Sequence, residues 1–139
     1  MKRILALLFF LTLIPTQSMA YHWKVVRVVD GDTVKFEVGF LPKELGRVIS
    51  VRVFGIDTPE KGKRAKCPKE AALAQKATDF TKRAIAEAKD IDVKVVSWDK
   101  YGGRILGYIM IDGINLGHLL NTAGLSRTYT GGKKESWCD

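Results

Sequence analysis

Residues 47–60 read RVISVRVFGIDTPE, a β-branched run that leads into an acidic turn. Apolar residues alternate with others in the first part, so every second residue from Ile49 to Val53 lies on one face of a strand. The opposite face carries Val48, Ser50, Arg52 and Phe54. Asp57 and Glu60 then flank Pro59, which holds the residue before it in an extended conformation. The stretch predicts a half-buried strand with carboxylates at its end.

Four further strands are predicted around this one. Within residues 22–39, two β-rich runs are separated at Asp30-Gly31, which is a strong hairpin signal. Later in the chain, IDVKVVSWD (residues 91–99) and RILGYIMID (residues 104–112) read as two strands joined by a turn over Asp99–Gly103. The sequence therefore predicts five strands in all.

Two helices are predicted between and after these strands. Pro68 suits the first position of a long helix, where its missing N–H has no intrahelical partner. A short helix over residues 114–124 is capped by Asn115 and ended by Gly124. The tail from Leu125 onward is predicted to be irregular. Together these elements indicate an α+β fold: a five-stranded Greek-key β-barrel of the OB type, with one long helix after strand 3 and a short C-terminal helix.

The N-terminus has the pattern of a secretory signal peptide, residues 1–20. Lys2 and Arg3 precede a run of eleven mostly apolar residues, and Ser18-Met19-Ala20 is a small-x-small cleavage pattern. A membrane anchor is the alternative, but the run is shorter than the ~20 residues that a spanning helix needs. We therefore expect one exported domain, residues 21–139, periplasmic or extracellular, without membrane insertion after cleavage.

The expected mature domain is basic. The whole chain has 23 Lys and Arg against 15 Asp and Glu, and without Lys2 and Arg3 the net charge is +6. A cationic exported domain suggests a polyanionic partner, such as nucleic acid, anionic lipid or a cell-wall polymer. Solubility alone would also account for the charge.

Cys67 and Cys138 are the only cysteines of the chain. An even number of cysteines in an exported protein suggests a disulfide, and two free thiols or a metal site are the alternatives. A bridge between them would close a loop of about 70 residues and contribute on the order of 4 kcal/mol to stability.

Two acidic clusters are candidates for a metal site. Asp30-Gly31 is explained by a turn, but Asp32 in DGDT is a second carboxylate that a turn does not require. Asp32 and Asp57 form a natural pair for a hard cation, together with the carbonyl of Thr58, since oxygen ligands suit Ca²⁺ or Mg²⁺. The alternative is that the carboxylates of GIDTPE are loop caps or exposed charges.

Two arginines are further candidates for the functional site. Arg52 interrupts an apolar strand and Arg104 follows the turn DKYGG. An arginine in such a position needs a partner, which is either a phosphate or a neighbouring carboxylate. With a cation and with Glu60 to orient or deprotonate water, these residues are the groups needed for phosphoryl transfer.

Four motifs of the chain resemble those of a known family. VVDGDTVKF, VRVFGIDTPE, DKYGGRILGYI and NTAGLSRTY resemble the staphylococcal nuclease (thermonuclease) family, in order, from about Val25 to the end of the chain. The resemblance implies an OB-fold barrel and Ca²⁺-dependent hydrolysis of DNA and RNA that leaves 3′-phosphate ends. One glycine more than the usual KYGR and a chain that ends at Asp139 are its main departures from the family pattern.

The resemblance also implies roles for individual residues. Asp32, Asp57 and the Thr58 carbonyl would bind Ca²⁺, with Asp30 behind them. Glu60 would position or activate water. The residues implied to hold the phosphate or the nucleotide are Arg52, Arg104, Lys100, Tyr101 and Tyr129. The ending YTGGKKESWC resembles exported members with a cysteine at both positions, which implies a Cys67–Cys138 clamp on the tail.

The alternative function is a non-catalytic OB-fold protein that binds nucleic acid. A pure binder has no reason to keep carboxylates in a phosphate groove, where they repel the ligand unless a cation intervenes. A cationic envelope protein, the third class, would need none of these residues. We expect a monomer, and we expect Trp23, Trp98 and Trp137 to pack in the core or the tail.

Overall fold

The computed structural model of the protein describes residues 19–139. The predicted signal peptide therefore lies outside the described residues, except for Met19 and Ala20. No helix in the described part of the chain is both long enough and apolar enough to cross a membrane.

The described chain contains nine strands and two α-helices. The strands are β1 (Ala20–Tyr21), β2 (Lys24–Asp30), β3 (Thr33–Glu37), β4 (Val48–Val53), β5 (Ile56–Asp57), β6 (Ile91–Trp98), β7 (Arg104–Ile111), β8 (Ile114–Asn115) and β9 (Arg127–Thr128). The helices are α1 (Pro68–Glu87) and α2 (Leu116–Thr122). Short 3₁₀ turns lie at Lys43–Leu45 and Gly62–Arg64.

The five long strands, β2, β3, β4, β6 and β7, are the five that the sequence predicts. The strand order is β1-β6-β7-β4-β3-β2, with β4 and β7 parallel and the other neighbours antiparallel. β1 pairs with β6, whereas β2, three residues further on, pairs with β3. One bent segment thus touches both edges of the sheet and closes the barrel. The expected α+β fold of the OB type is confirmed.

Four two-residue strands raise the strand count above the predicted five. The tail is not wholly irregular, because β9 pairs with β5. The β2–β3 turn is formed by Gly31 and Asp32, one residue later than predicted, because Asp30 still pairs with Thr33. Such short pairings and one-residue shifts depend on contacts between distant segments, which sequence pattern does not record.

The barrel interior is apolar and inaccessible to solvent. Val34, Phe36, Val51, Val53 and Ile109 are fully inaccessible to solvent. β4 alternates as its sequence predicts, with Ile49, Val51 and Val53 buried and the opposite face partly exposed. That opposite face carries Arg52, so the same alternation that builds the core directs this guanidinium away from it.

α1 begins where the sequence predicts and is tied to the tail. Pro68 is its first residue, and Cys67 is the N-cap, whose sulfur accepts a hydrogen bond from the Glu70 N–H. The predicted disulfide joins Cys67 to Cys138, with Cα atoms 6.0 Å apart. α2 begins at the predicted cap, where the Asn115 side chain accepts a hydrogen bond from the Gly117 N–H.

Candidate active site

A cavity of about 530 Å³ opens where β4 ends, beside the turns that follow β2 and β6. Most of the residues that the sequence singles out line it: Asp30, Asp32, Arg52, Thr58, Glu60, Lys100, Tyr101, Arg104 and Tyr129. Asp57 is almost fully buried and reaches the same site through its contact with Arg52. Segments far apart in sequence therefore meet in one cavity.

Arg52 links the two carboxylates predicted to share a cation. Its Nη2 lies 3.1 Å from Oδ2 of Asp32 and 3.4 Å from Oδ1 of Asp57. Only 8% of each of these two acidic side chains is exposed. The sequence left open whether Arg52 pairs with a phosphate or with a carboxylate, and in this structure its partners are carboxylates.

The donor set around Asp32 fits a hard cation. Every candidate ligand there is an oxygen, which suits Ca²⁺ or Mg²⁺. Oδ1 of Asp30 is buried and has no hydrogen-bond partner among residues 19–139. Burial raises the pKa of Asp32. The positive charge of Arg52 acts to lower this pKa, and the negative charge of the nearby Asp30 acts to raise it. Asp30 and Asp32 are close enough for their negative charges to repel each other, and a bound cation would offset this repulsion.

Helix α1 fixes the turn that carries Asp32. The hydroxyl of Thr81 donates a hydrogen bond to the carbonyl of Gly31 at 2.7 Å. A Cβ at Gly31 would lie 2.7 Å from the Cβ of Ala77, closer than such atoms approach. Gly31 is therefore required for the close approach of turn and helix, and its φ is not in the left-handed region. The N–H of Val53 donates to the Asp32 carbonyl at 2.8 Å, which ties the turn to β4.

Glu60 is held between two cations. Oε2 lies 3.1 Å from Nε of Arg64, and Oε1 lies 3.2 Å from Nζ of Lys134. Its backbone N–H donates to Oε1 of Glu70 at 3.1 Å, and Glu70 is only 3% exposed. The other oxygen of Glu70 accepts from the N–H of Lys66 at 2.7 Å. A buried carboxylate on α1 thus shapes the loop that presents Glu60.

Asp99 orients Arg104. Nε of Arg104 donates to Oδ2 of Asp99 at 2.7 Å, and Nη2 contacts the same oxygen. Burial disfavours ionisation of Asp99, but hydrogen bonds from Arg104 and the Tyr101 N–H dominate and hold the pKa of Asp99 below its ordinary value. Gly102 and Gly103 both have left-handed φ, and the Asp99 N–H still bonds to the Arg104 carbonyl at 2.8 Å. The turn thus accommodates the extra glycine, and the backbone pairing of Asp99 with Arg104 is kept.

Aromatic rings surround the mouth of the cavity. Tyr101 is 79% exposed, with the Lys100 ammonium 5.0 Å from its ring centre. Trp98 is 59% exposed and lines the cavity, so the expectation that it packs in the core or the tail is wrong. β6 has a register shift between Val95 and Ser97, and its last four residues are exposed. Trp23 and Trp137 do pack, against the core and in the tail respectively.

A second group of potential ligands lies away from the cavity. Among residues 19–139, one set of three possible metal ligands has all its ligand atoms within 4.8 Å of one another: His22, Asp90 and Asp92. Nδ1 of His22 is 3.3 Å from Asp90 and 2.9 Å from Asp92. His22 and Asp90 are mostly exposed, and such groups of exposed acidic side chains are common without a metal ion.

Comparison with known proteins identifies the family of this chain. A family model described as "Staphylococcal nuclease homologue" matches residues 50–137. The chain belongs to this family. The matched segment contains Arg52, Asp57, Glu60 and Arg104, while Asp30 and Asp32 precede it.

Three relatives of this staphylococcal nuclease homologue extend the match. An "Uncharacterized endonuclease" of Escherichia coli is 29% identical, over 93% of this chain and 74% of its own. An uncharacterized protein of Methanocaldococcus jannaschii is 34% identical, over 78% of this chain and 59% of its own. The "Thermonuclease" of Staphylococcus hyicus is 33% identical, over 76% of this chain and 57% of its own. Family and relatives together support a nuclease.

The sequence missed four residues that contact the candidate site of this nuclease homologue. They are Arg64, Glu70, Asp99 and Lys134. Asp99 had a local signal, since it lies five residues before Arg104 across a turn. Lys134 had none, because 74 residues separate it from Glu60.

Proposed function

We propose that this protein is an exported, calcium-dependent nuclease that hydrolyses phosphodiester bonds in both DNA and RNA. Water would add to phosphorus while the bond to the 5′-oxygen breaks, so the products would carry 3′-phosphate and 5′-hydroxyl ends. The observation that supports this most directly is the contact of one guanidinium, Arg52, with both Asp32 and Asp57 beside a cavity lined by Glu60 and Arg104.

Asp32, Asp57 and the Thr58 carbonyl would hold the cation, with Asp30 behind them. Bound Ca²⁺ would neutralise these carboxylates and help to stabilise charge on the phosphoryl oxygens. Glu60 would orient the attacking water and accept its proton. Its carboxylate is suited to this because Arg64 and the backbone contact to Glu70 restrict its position.

Two arginines would bind the phosphate. Planar guanidinium groups match phosphate oxygens in pairs, and they stabilise charge that grows in the transition state. Arg104 is already oriented by Asp99, and Arg52 would exchange a carboxylate contact for a phosphate oxygen. Lys100 at the cavity mouth would attract the sugar-phosphate backbone without regard to base.

Exposed rings would receive the bases. Tyr101 and Trp98 are exposed at the cavity mouth, and the half-buried Tyr129 is held there by hydrogen bonds from its N–H to Gly55 and from its hydroxyl to Gly132. Stacking on such rings tolerates every base and favours single strands. The protein would therefore cut with little sequence preference.

A digestion assay tests this proposal. Plasmid, single-stranded DNA and RNA should be degraded with Ca²⁺ and left intact with a chelator. Product ends should resist polymerase extension until a phosphatase removes the 3′-phosphate. Asp57→Asn should abolish cleavage, whereas Glu87→Gln, an exposed carboxylate at the far end of α1, should not. Binding without cleavage under all conditions would instead indicate the alternative, a non-catalytic nucleic-acid-binding protein.

Export and a monomeric state are part of the same proposal. The N-terminal pattern over residues 1–20 supports export, and the Cys67–Cys138 bridge is compatible with an oxidising compartment. Mature protein recovered from periplasm or medium should begin at Tyr21 and elute as a monomer. Retention of residues 1–20 in the cytoplasm would contradict the proposed export.

A further inference from the structure

We infer that Lys134 is a further residue of the cation site: its ammonium competes with the divalent cation for Asp57, and the Cys67–Cys138 disulfide keeps it there. This inference rests on the proposed function only in taking Asp57 as a cation ligand. The disulfide would then set how tightly the cation binds.

The contacts of Lys134 place its charge at the carboxylates of the site. Its Nζ lies 2.6 Å from Oδ1 of Asp57 and 3.2 Å from Oε1 of Glu60. The same Oδ1 of Asp57 lies 3.4 Å from Arg52. A divalent cation that binds this oxygen would therefore lie close to two positive groups, Arg52 and Lys134, that already contact the oxygen.

Of the two cationic side chains that contact Asp57 in the described part of the chain, Lys134 is the one that can move away. Arg52 is held on β4 with 15% of its side chain exposed, whereas 39% of the Lys134 side chain is exposed. Like charges a few ångströms apart repel strongly at a partly buried site. The flexible lysine can turn its ammonium to water, so cation binding and the Lys134–Asp57 contact exclude each other.

The chain on both sides of Lys134 is anchored. Before it, the Tyr129 N–H donates to the Gly55 carbonyl at 2.8 Å and β9 pairs with β5. After it, Trp137 is buried, with the guanidinium of Arg127 3.9 Å from its ring, and Cys138 is bonded to Cys67. The exposed residues 130–136 form a short bridge between these anchors.

The disulfide is the covalent part of the second anchor. It joins the N-cap of α1, whose first turn supplies Glu70, to the residue four positions after Lys134. A short tether of this kind raises the effective concentration of the ammonium at Asp57. Reduction removes that tether, so the competition should weaken and the cation should bind more tightly.

Calorimetric titration with Ca²⁺ alone tests the competition without any activity measurement. Lys134→Met should bind Ca²⁺ about tenfold more tightly than wild type, as expected for a competing group with a typical coupling. Lys134→Arg keeps the charge and should bind like wild type. Lys133→Met is the matched control: it removes the same charge from the adjacent exposed residue, and it should change the dissociation constant little.

The redox part needs the same titration with and without a reductant. Reduced wild type and Cys138→Ser should both shift toward the tighter binding of Lys134→Met. Reduction should have no further effect on Lys134→Met, because the competing group is already gone. Melting curves recorded first would establish that each variant is folded at the titration temperature.

The two proposals fail in different ways. If wild type and Lys134→Met bind Ca²⁺ equally, or the variant binds more weakly, competition by Lys134 is wrong and the calcium site stands. If neither protein binds Ca²⁺, the proposed cation site itself is wrong. A change on reduction that persists in Lys134→Met would show that the disulfide acts through another part of the structure and would overturn its link to Lys134.

Discussion

The carboxylate of Glu70 accepts a hydrogen bond from the backbone N–H of Glu60 at 3.1 Å. Glu70 lies in the first turn of α1 and is buried, while Glu60 lies in the cavity wall. The first turn of α1 therefore helps to position Glu60, the residue proposed to act on water. Helix α1 thus contributes directly to the geometry of the site.

We expect Glu70→Ala to lower both stability and activity. The variant leaves the partly buried N–H groups of Glu60 and Lys66 without their charged partner, and a hydrogen bond to a charged group contributes about 1.5–3 kcal/mol. Chemical denaturation and initial cleavage rates would measure the two effects. Glu87→Ala, at the exposed end of the same helix, should change neither. An unchanged cleavage rate in Glu70→Ala would show that Glu60 does not depend on this contact.

We expect Glu60→Gln to separate catalysis from binding. The amide keeps the shape of the side chain but cannot accept the proton from water, so kcat should fall by a factor of about 10²–10⁴. Affinity for an oligonucleotide should change little, because the arginines that would hold the phosphate remain. Single-turnover cleavage and fluorescence anisotropy would give the two quantities. A full rate in this variant would remove Glu60 from its proposed role.

The depressed pKa of Asp99 predicts a pH dependence of stability. A carboxyl whose pKa is lower in the folded state stabilises the fold above its unfolded value of 3.8, and this stability is lost as pH falls through the folded pKa. Asp99→Asn should therefore be less stable than wild type near neutral pH. The difference should shrink below pH 3.8. Denaturation curves across this range test the sign, and a constant difference would contradict it.

The same substitution should impair cleavage, because Arg104 loses the carboxylate that orients it. Asp79→Asn is a suitable control, since Asp79 lies on α1 and its side chain bonds to Gln75 there. It should show neither the pH-dependent loss nor the drop in rate.

Loss of the Cys67–Cys138 bridge should lower the melting temperature. The bridge spans 71 residues, and cross-links of this length stabilise by about 4 kcal/mol when they constrain the unfolded chain. A Cys67→Ser, Cys138→Ser variant should melt at the same temperature with and without a reductant, while wild type should melt lower when reduced. Equal melting of oxidised and reduced wild type would contradict a stabilising role.

Local pattern was sufficient to predict much of the barrel. Alternation from Ile49 to Val53 predicted β4 and its buried face, and Pro68 and Asn115 marked the starts of both helices. Strand β6 was predicted, but not the exposure of Trp98 at its end, because the register shift within β6 depends on its pairing with β7. Local periodicity records which face of a strand is apolar and does not record what covers its last residue.

The sequence by itself determined the five long strands, the helix starts, the cysteine pair and the family to which the chain belongs, because each depends on neighbouring residues or on a motif. Only the tertiary structure decided that Arg52 pairs with two carboxylates, that Glu70 supports Glu60, and that Lys134 contacts Asp57. The physical reason is distance along the chain. Ion pairs form between whichever charges the fold brings within a few ångströms, and no local pattern encodes the meeting of a tail lysine with a carboxylate 77 residues earlier.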